Sequence, residues 1–200
     1  MMLRCSHLLI AALVAVFATG CASTRAVDSA VQSYSLLSAL PAPPTYRLEL
    51  LPSQQADNAK FVAIESQAQQ SLQKVGLLRD DAGGKLVVQI AAQARYTTPD
   101  NWPYYSRGPG WSWGLGYGRG GWGMGVGGMF DRPPTLLHRS VSVVMRDVET
   151  QKIVYETSAT HEEVWSNDAL IFGVLFDAAL SGFPQPPTGA RQIRTEIPVR

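Results

Sequence analysis

From Leu86 to Tyr96 the side chains fall into two alternating series, one apolar and one largely polar. Leu86, Val88, Ile90, Ala92, Ala94 and Tyr96 form one series, and Val87, Gln89, Ala91, Gln93 and Arg95 the other. Only an extended strand turns a period of two into two distinct faces. One face is core and the other largely wet, as in an antiparallel sheet covered on one side. The fold must therefore supply neighbouring strands and a covering layer. Leu136 to Arg146 and Lys152 to Trp165 read as two further strands around the turn Asp147-Val148-Glu149-Thr150-Gln151. Matching their patterns pairs Met145 with Ile153, Val143 with Tyr155 and Val141 with Thr157, and on the other face Ser142 with Glu156 and Ser140 with Ser158. Tyr46 to Leu51 predicts another strand, with Tyr46, Leu48 and Leu50 on one face, and Ser29 to Leu36 a weaker first one.

Two helices supply the covering layer. Pro52-Ser53 opens the first, with Ser53 the expected N-cap. Phe61, Ile64, Ala68, Leu72 and Val75 recur at spacings of three and four, opposite a run of Gln and Ser, and make a core-facing stripe. Gly76 suits the C′ position. The second runs from Asp168 to Leu180, with Ser166 or Asn167 as cap and Gly182 as its end. It is apolar nearly all round, so it must be buried or covered by a partner.

The N-terminus carries an address. Arg4 precedes an apolar run from Leu8 to Ala18, followed by Ala18-Thr19-Gly20-Cys21. A charged n-region, an apolar h-region and small residues before a cleavage point make a secretion signal. A cysteine where cleavage falls resembles a lipobox, with Ala18 where Leu is usual. Spanning a bilayer needs about 20 apolar residues, and this run is too short for that. Residues 1–20 are thus expected to be removed and Cys21 acylated, each buried CH₂ contributing about 0.8 kcal/mol of anchoring. Ala22 rather than Asp follows, which points to the outer membrane, lipid-anchored, with the folded part on the periplasmic side. Cys5 leaves with the signal and Cys21 is consumed by lipid, so neither a disulfide nor a Cys-based metal site is expected.

Loss of Arg4 takes Lys+Arg from 17 to 16 against 16 Asp+Glu, a balance without the basic stripe of a nucleic-acid binder. Between the third and fourth strands lies the glycine–aromatic segment Trp102 to Gly128. It holds four of the five tryptophans, and from Gly108 onward eleven of the 18 glycines. With Gly120-Gly121 as a two-residue turn, Arg119 faces Trp122, Tyr117 faces Met124, Leu115 faces Val126 and Trp113 faces Gly128. All the bulky residues then share one side and the other is glycine. A row of strand glycines suggests close approach of another backbone or a ligand. Three readings stand: a loosely ordered loop, a docking ribbon for a partner or the membrane surface, where Trp and Tyr concentrate, and a glycan-stacking platform. Trp111, Trp113, Tyr117 and Trp122 are the candidate partner or ligand surface.

No catalytic carrier is visible. His138 and His161 are the histidines left after the signal, and the matched register sets them opposite Thr160 and Leu137, on opposite faces. Two His without Cys or a third ligand make a weak zinc signal. His161-Glu162-Glu163-Val164-Trp165 lacks the second His of a zinc-protease helix, and no Gly-x-Ser-x-Gly elbow occurs. Asp80-Asp81 and Glu162-Glu163 are neighbours on turns or strands, not acid–base dyads. No enzyme activity, cofactor or metal is expected.

The lipobox, Tyr46-Arg47-Leu48-Glu49, Val75-Gly76-Leu77, Leu86-Val87-Val88-Gln89, the Asp147 to Tyr155 turn and strand, and Phe183-Pro184 occur in an order that resembles a family of bacterial envelope lipoproteins, domain of unknown function 4136. The resemblance implies a compact α+β envelope domain, no established activity, and no functional residue beyond the lipidated cysteine. The fold expected is α+β: an antiparallel sheet of four to five strands, two helices packed on one face, and a Gly/Trp-rich hairpin or loop projecting from the sheet end. The signal occupies 1–20, a tether 21–28, one domain 29–187 with the insertion at 102–130, and a tail 188–200. The role expected is a non-enzymatic binding or scaffolding module. Its partners are membrane lipid through Cys21 and an envelope protein or glycan, with a glycan- or peptidoglycan-binding lipoprotein as the alternative.

Overall fold

Seven strands form one sheet in a computed structural model, which describes residues 24–56, 58–97, 112–118, 121–127, 135–163 and 170–198. The strands of that sheet are β1 (Thr24–Ser35), β2 (Thr45–Leu48), β3 (Leu78–Arg79), β4 (Leu86–Thr97), β7 (Leu136–Asp147), β8 (Ile153–Glu163) and β9 (Arg191–Pro198). Their order is β3-β2-β4-β7-β8-β1-β9. β5 (Ser112–Gly118) and β6 (Gly121–Gly127) pair separately. The helices are α1 (Pro52–Ala56), α2 (Asn58–Lys74) and α3 (Leu170–Ala179).

This architecture corrects the expected antiparallel sheet of four to five strands with two helices. The sheet is mixed: β2 pairs in parallel with β3 and with β4, and the remaining pairs are antiparallel. The cause lies in the connection. β2 leads through a helix to β4, and a crossover over a helix returns the chain in its starting direction. The two extra strands are β3, two residues too short to show a period, and β9, which draws residues 191–198 out of the supposed tail. β1 also starts at Thr24, inside the stretch read as a tether, because β9 pairs with it from Thr24↔Pro198 to Val31↔Arg191. The expected first helix falls on two described helical stretches, α1 ending at Ala56 and α2 beginning at Asn58.

Local chemistry sets the helix ends. The cap of α1 is Leu51, not Ser53: Gln54 N and Gln55 N donate to the Leu51 carbonyl, and the Gln54 Oε1 accepts from Leu51 N at 2.9 Å. Pro52 then sits at the first helical position, where its missing N–H costs nothing. α2 closes in a Schellman motif, with Leu77 N donating to Leu72 O and Gly76 N to Gln73 O, both at 3.0 Å. Gly76 takes φ +90°, which favours glycine.

One face of the sheet is the core. Val27, Val31, Val88, Ile90, Val141, Val143, Met145, Tyr155 and Ala159 are buried there beneath Ile171, Leu175 and Phe176 of α3 and Phe61, Ala68 and Leu72 of α2. α3 packs on β1, β7 and β8, and α2 on β4 and α3. Ser71 donates to Asp177 across the two helices at 2.7 Å. The opposite face carries small and polar residues: Ala30, Gln32, Gln89, Ala91, Ser140, Ser142, Ser158 and Thr160.

Both hairpins sit two residues from the expected register, and β7–β8 keeps the expected faces. β7 and β8 pair Met145 with Tyr155, Val143 with Thr157, Val141 with Ala159, Ser142 with Ser158 and Ser140 with Thr160. β5 and β6 pair Trp113 with Val126, Leu115 with Met124 and Tyr117 with Trp122, while Gly114, Gly116 and Gly118 pair with Gly125, Gly123 and Gly121. A slip of two leaves every residue on its own face, so pattern alone cannot detect it. In β7–β8 the turn decides. Asp147 Oδ1 accepts from Thr150 N and Thr150 Oγ1, both at 2.8 Å, Gln151 takes φ 59°, and a register shift falls between Met145 and Arg146.

Candidate functional site

Strand direction brings distant parts of the chain to one end of the sheet. β1 and β7 begin there, and β4, β8 and β9 finish there, as the pairs Thr24↔Pro198, Thr97↔Leu136 and Leu137↔Glu163 require. The glycine–aromatic insertion is the chain between Thr97 and Leu136, so both its stems rise from this end. Thr24, three residues beyond Cys21, starts from it too. Trp113, Tyr117 and Trp122 belong to β5 and β6, where Tyr117 and Trp122 are direct partners. Cys21 and Trp111 lie outside the described residues, as do the expected cap residues Ser166 and Asn167.

Under the stems sits a polar cluster on the core face. Arg139 and His161 are Cα partners, and Glu163 lies two residues further along the same face of β8. Arg139 Nη1 donates to Glu163 Oε1 at 2.7 Å, and Arg25 Nη2 donates to Glu163 Oε2. His161 Nδ1 donates to the Asp28 carbonyl at 2.7 Å, and its Nε2 stands 3.2 Å from Glu163 Oε2. The side chains of Arg139 and Glu163 are 3% and 10% exposed. Two guanidiniums on one carboxylate satisfy both oxygens, which is what burial of a charge requires. The cluster also explains a gap in the sheet. β1 pairs with β8 only from Ala30↔Thr160 to Ser35↔Tyr155, and beyond it His161 bridges to the β1 backbone instead.

His138 lies on the opposite face from His161, paired with Glu162 rather than with Thr160, its Nδ1 2.8 Å from Glu162 Oε1. Asp80 closes a turn by accepting from Ala82 N and Gly83 N, and Asp81 pairs with Arg79, which holds its carboxyl below the usual carboxylate range. The Arg139–Glu163–Arg25–His161 cluster was not singled out from the sequence. A signal existed: Arg139 occupies the buried phase of a strand between Leu137 and Val141. Among the described residues, no helix is long and apolar enough to cross a membrane.

Comparisons with known proteins bear on the fold. The family model described as a domain of unknown function, DUF4136, matches residues 25–185. A search of curated proteins returns no match. Among solved structures, a PDZ domain protein from Parabacteroides distasonis is similar at TM-score 0.50 and 12% identity over 94% of this chain, which spans 42% of that protein's length. The PelC dodecamer from Paraburkholderia phytofirmans gives TM-score 0.45 and 12% identity, covering 80% of this chain and 99% of that one. The first of these likenesses concerns the fold alone.

Proposed function

We propose that this chain, which belongs to the DUF4136 family, is an outer-membrane lipoprotein anchored through Cys21, with its domain on the periplasmic side as a non-enzymatic binding or scaffolding module. Its Trp-rich insertion, bearing Trp111, Trp113, Tyr117 and Trp122, docks on the membrane surface. One observation carries the reading: β1 starts at Thr24, and the stems of the insertion, Thr97 and Leu136, share that end of the sheet. Three residues span at most about 10 Å. A lipid on Cys21 therefore holds this end against the bilayer and holds the aromatic ribbon at the headgroup level, where Trp and Tyr partition.

The test has two arms. Cys21→Ser abolishes acyl labelling and releases the protein from the membrane fraction. In the unlipidated protein, replacing Trp111, Trp113 and Trp122 by Ser lowers co-flotation with phospholipid vesicles. Unchanged flotation sinks the docking role, and unchanged fractionation sinks the anchor. Tryptophan quenching by soluble peptidoglycan fragments, with flotation unchanged, would give the ribbon to glycan instead.

A further inference from the structure

At the end of the sheet away from the stems, β1 has a free edge. Its ladder with β9 stops at Val31↔Arg191, whereas its ladder with β8 continues to Ser35↔Tyr155. The next rung on the β9 side would set Ser33 against Gly189. Gly189 takes φ +91° and turns the chain away. Leu36 N donates to Val154 O at 2.8 Å, so the even-numbered residues of this stretch bond to β8. Antiparallel strands alternate the direction of their peptide groups. The N–H and C=O of Ser33 and Ser35 therefore face the missing rung.

That rung is replaced by a cleft of about 620 Å³ between β1 and the Gln185–Gly189 segment. Its walls are fixed. Ser35 Oγ donates to Pro184 O at 2.6 Å, Arg191 Nη2 donates to Ser181 O at 2.7 Å, and the Phe183 ring meets the Tyr155 ring edge-on with centroids 4.9 Å apart. On the rim, Tyr34 and Glu156 are directly opposed across β1 and β8. Tyr34 is 58% exposed, and Glu156 has no ion-pair partner among the described residues. A carboxylate beside an open aromatic ring suits one ligand group, an ammonium or guanidinium lying over the ring.

We infer that this cleft binds an extended, lysine- or arginine-bearing peptide segment of another protein, added as a short strand to the β1 edge at Ser33–Ser35. Main-chain hydrogen bonds to an exposed edge supply affinity in this mode, and alternate side chains supply specificity. The basic side chain falls on the Tyr34–Glu156 face. The free edge is only a few residues long, which protects it from indiscriminate pairing. The inference does not depend on acylation of Cys21 or on the role of the Trp-rich ribbon.

The test titrates the full chain in detergent micelles with fluorescein-labelled hexapeptides of alternating Thr and Val, a single Lys stepped through the six positions. At least one register gives saturable anisotropy and slows hydrogen exchange at the Ser33 and Ser35 amides. N-methylation of that peptide's edge-facing amides weakens binding at least about tenfold, and Glu156→Gln weakens it about two- to fivefold. Failure of all six peptides overturns the inference. So does equal binding by the N-methylated peptide, which leaves the protein itself untouched. A concentration-dependent dimer that protects the Ser33 amide without peptide would give the edge to a second copy and overturn it as well.

Discussion

Removing the Glu163 carboxylate should cost far more than its place near a strand end suggests. The carboxylate accepts from Arg139 at 2.7 Å and from Arg25, and the Arg139 side chain is 3% exposed. Glu163→Ala leaves the buried Arg139 guanidinium without its carboxylate, facing the His161 imidazole and the partly exposed Arg25. Breaking a buried pair by deleting one partner costs about 3–5 kcal/mol. Arg25 is 31% exposed, and its share is discounted to that of a surface pair, under about 1 kcal/mol. The Arg139 contact therefore dominates. For a chain of this size the cost corresponds to a drop in Tm on the order of 10 °C. Arg139→Met combined with Glu163→Leu removes both buried charges and should return within about 1 kcal/mol of wild type, because the pair's attraction roughly offsets its desolvation. The assay is urea unfolding of the unlipidated protein followed by far-UV circular dichroism, with m-values compared across variants. A Glu163→Ala cost under about 1 kcal/mol, or a double variant as damaged as the sum of its single changes, would refute the argument that burial makes this pair matter.

Three further outcomes follow from the packing. A Cβ at Gly84 would stand 2.4 Å from Arg47 N and 2.5 Å from the Tyr46 carbonyl carbon, both backbone, so Gly84→Ala should cost about 1–3 kcal/mol or more in thermal melts; a loss below half a kcal/mol would mean that β2 does not pass so close. Leu175 is completely buried between α3 and the sheet, and Leu175→Ala should cost about 2–5 kcal/mol by the same urea assay. Burial pushes the Tyr46 hydroxyl up to about 12 from 10.0. A raised folded value means that this contribution is intact below pH 10 and is lost as pH climbs from 10 to 12. Tyr46→Phe should flatten that part of the alkaline loss, and an unchanged alkaline profile would assign the loss to other groups.

How much could be read beforehand differs from element to element. The stripe Phe61, Ile64, Ala68, Leu72, Val75 and its closing Gly76 follow from spacing, because a helix is defined by contacts three to five residues apart. The strand faces follow equally, since period two is local. β9 falls in the stretch taken for a tail, although it carries a local signal: Ile193, Thr195 and Ile197 alternate with Gln192, Arg194 and Glu196 and form its less exposed series. The parallel relation of β2 to β4 was open to inference from the intervening helix. β3 was not, because Leu78–Arg79 has no pattern and exists only where β2 passes beside it. The buried cluster was half visible: Arg139 stands in a core phase, but nothing local names Arg25, more than a hundred residues away, as a second donor to Glu163.

By itself the chain determined which residues face inward, where the helices stop, and that glycine and tryptophan gather in one insertion. These depend on a residue and its near neighbours. Tertiary structure alone decided which strands distant in sequence lie side by side, and at which register the strands meet. A strand's two edges are chemically alike, and a slip of two residues leaves both faces unchanged. It therefore also decided that Thr24, Thr97 and Leu136 meet at one end, and that the Ser33–Ser35 edge stands open at the other.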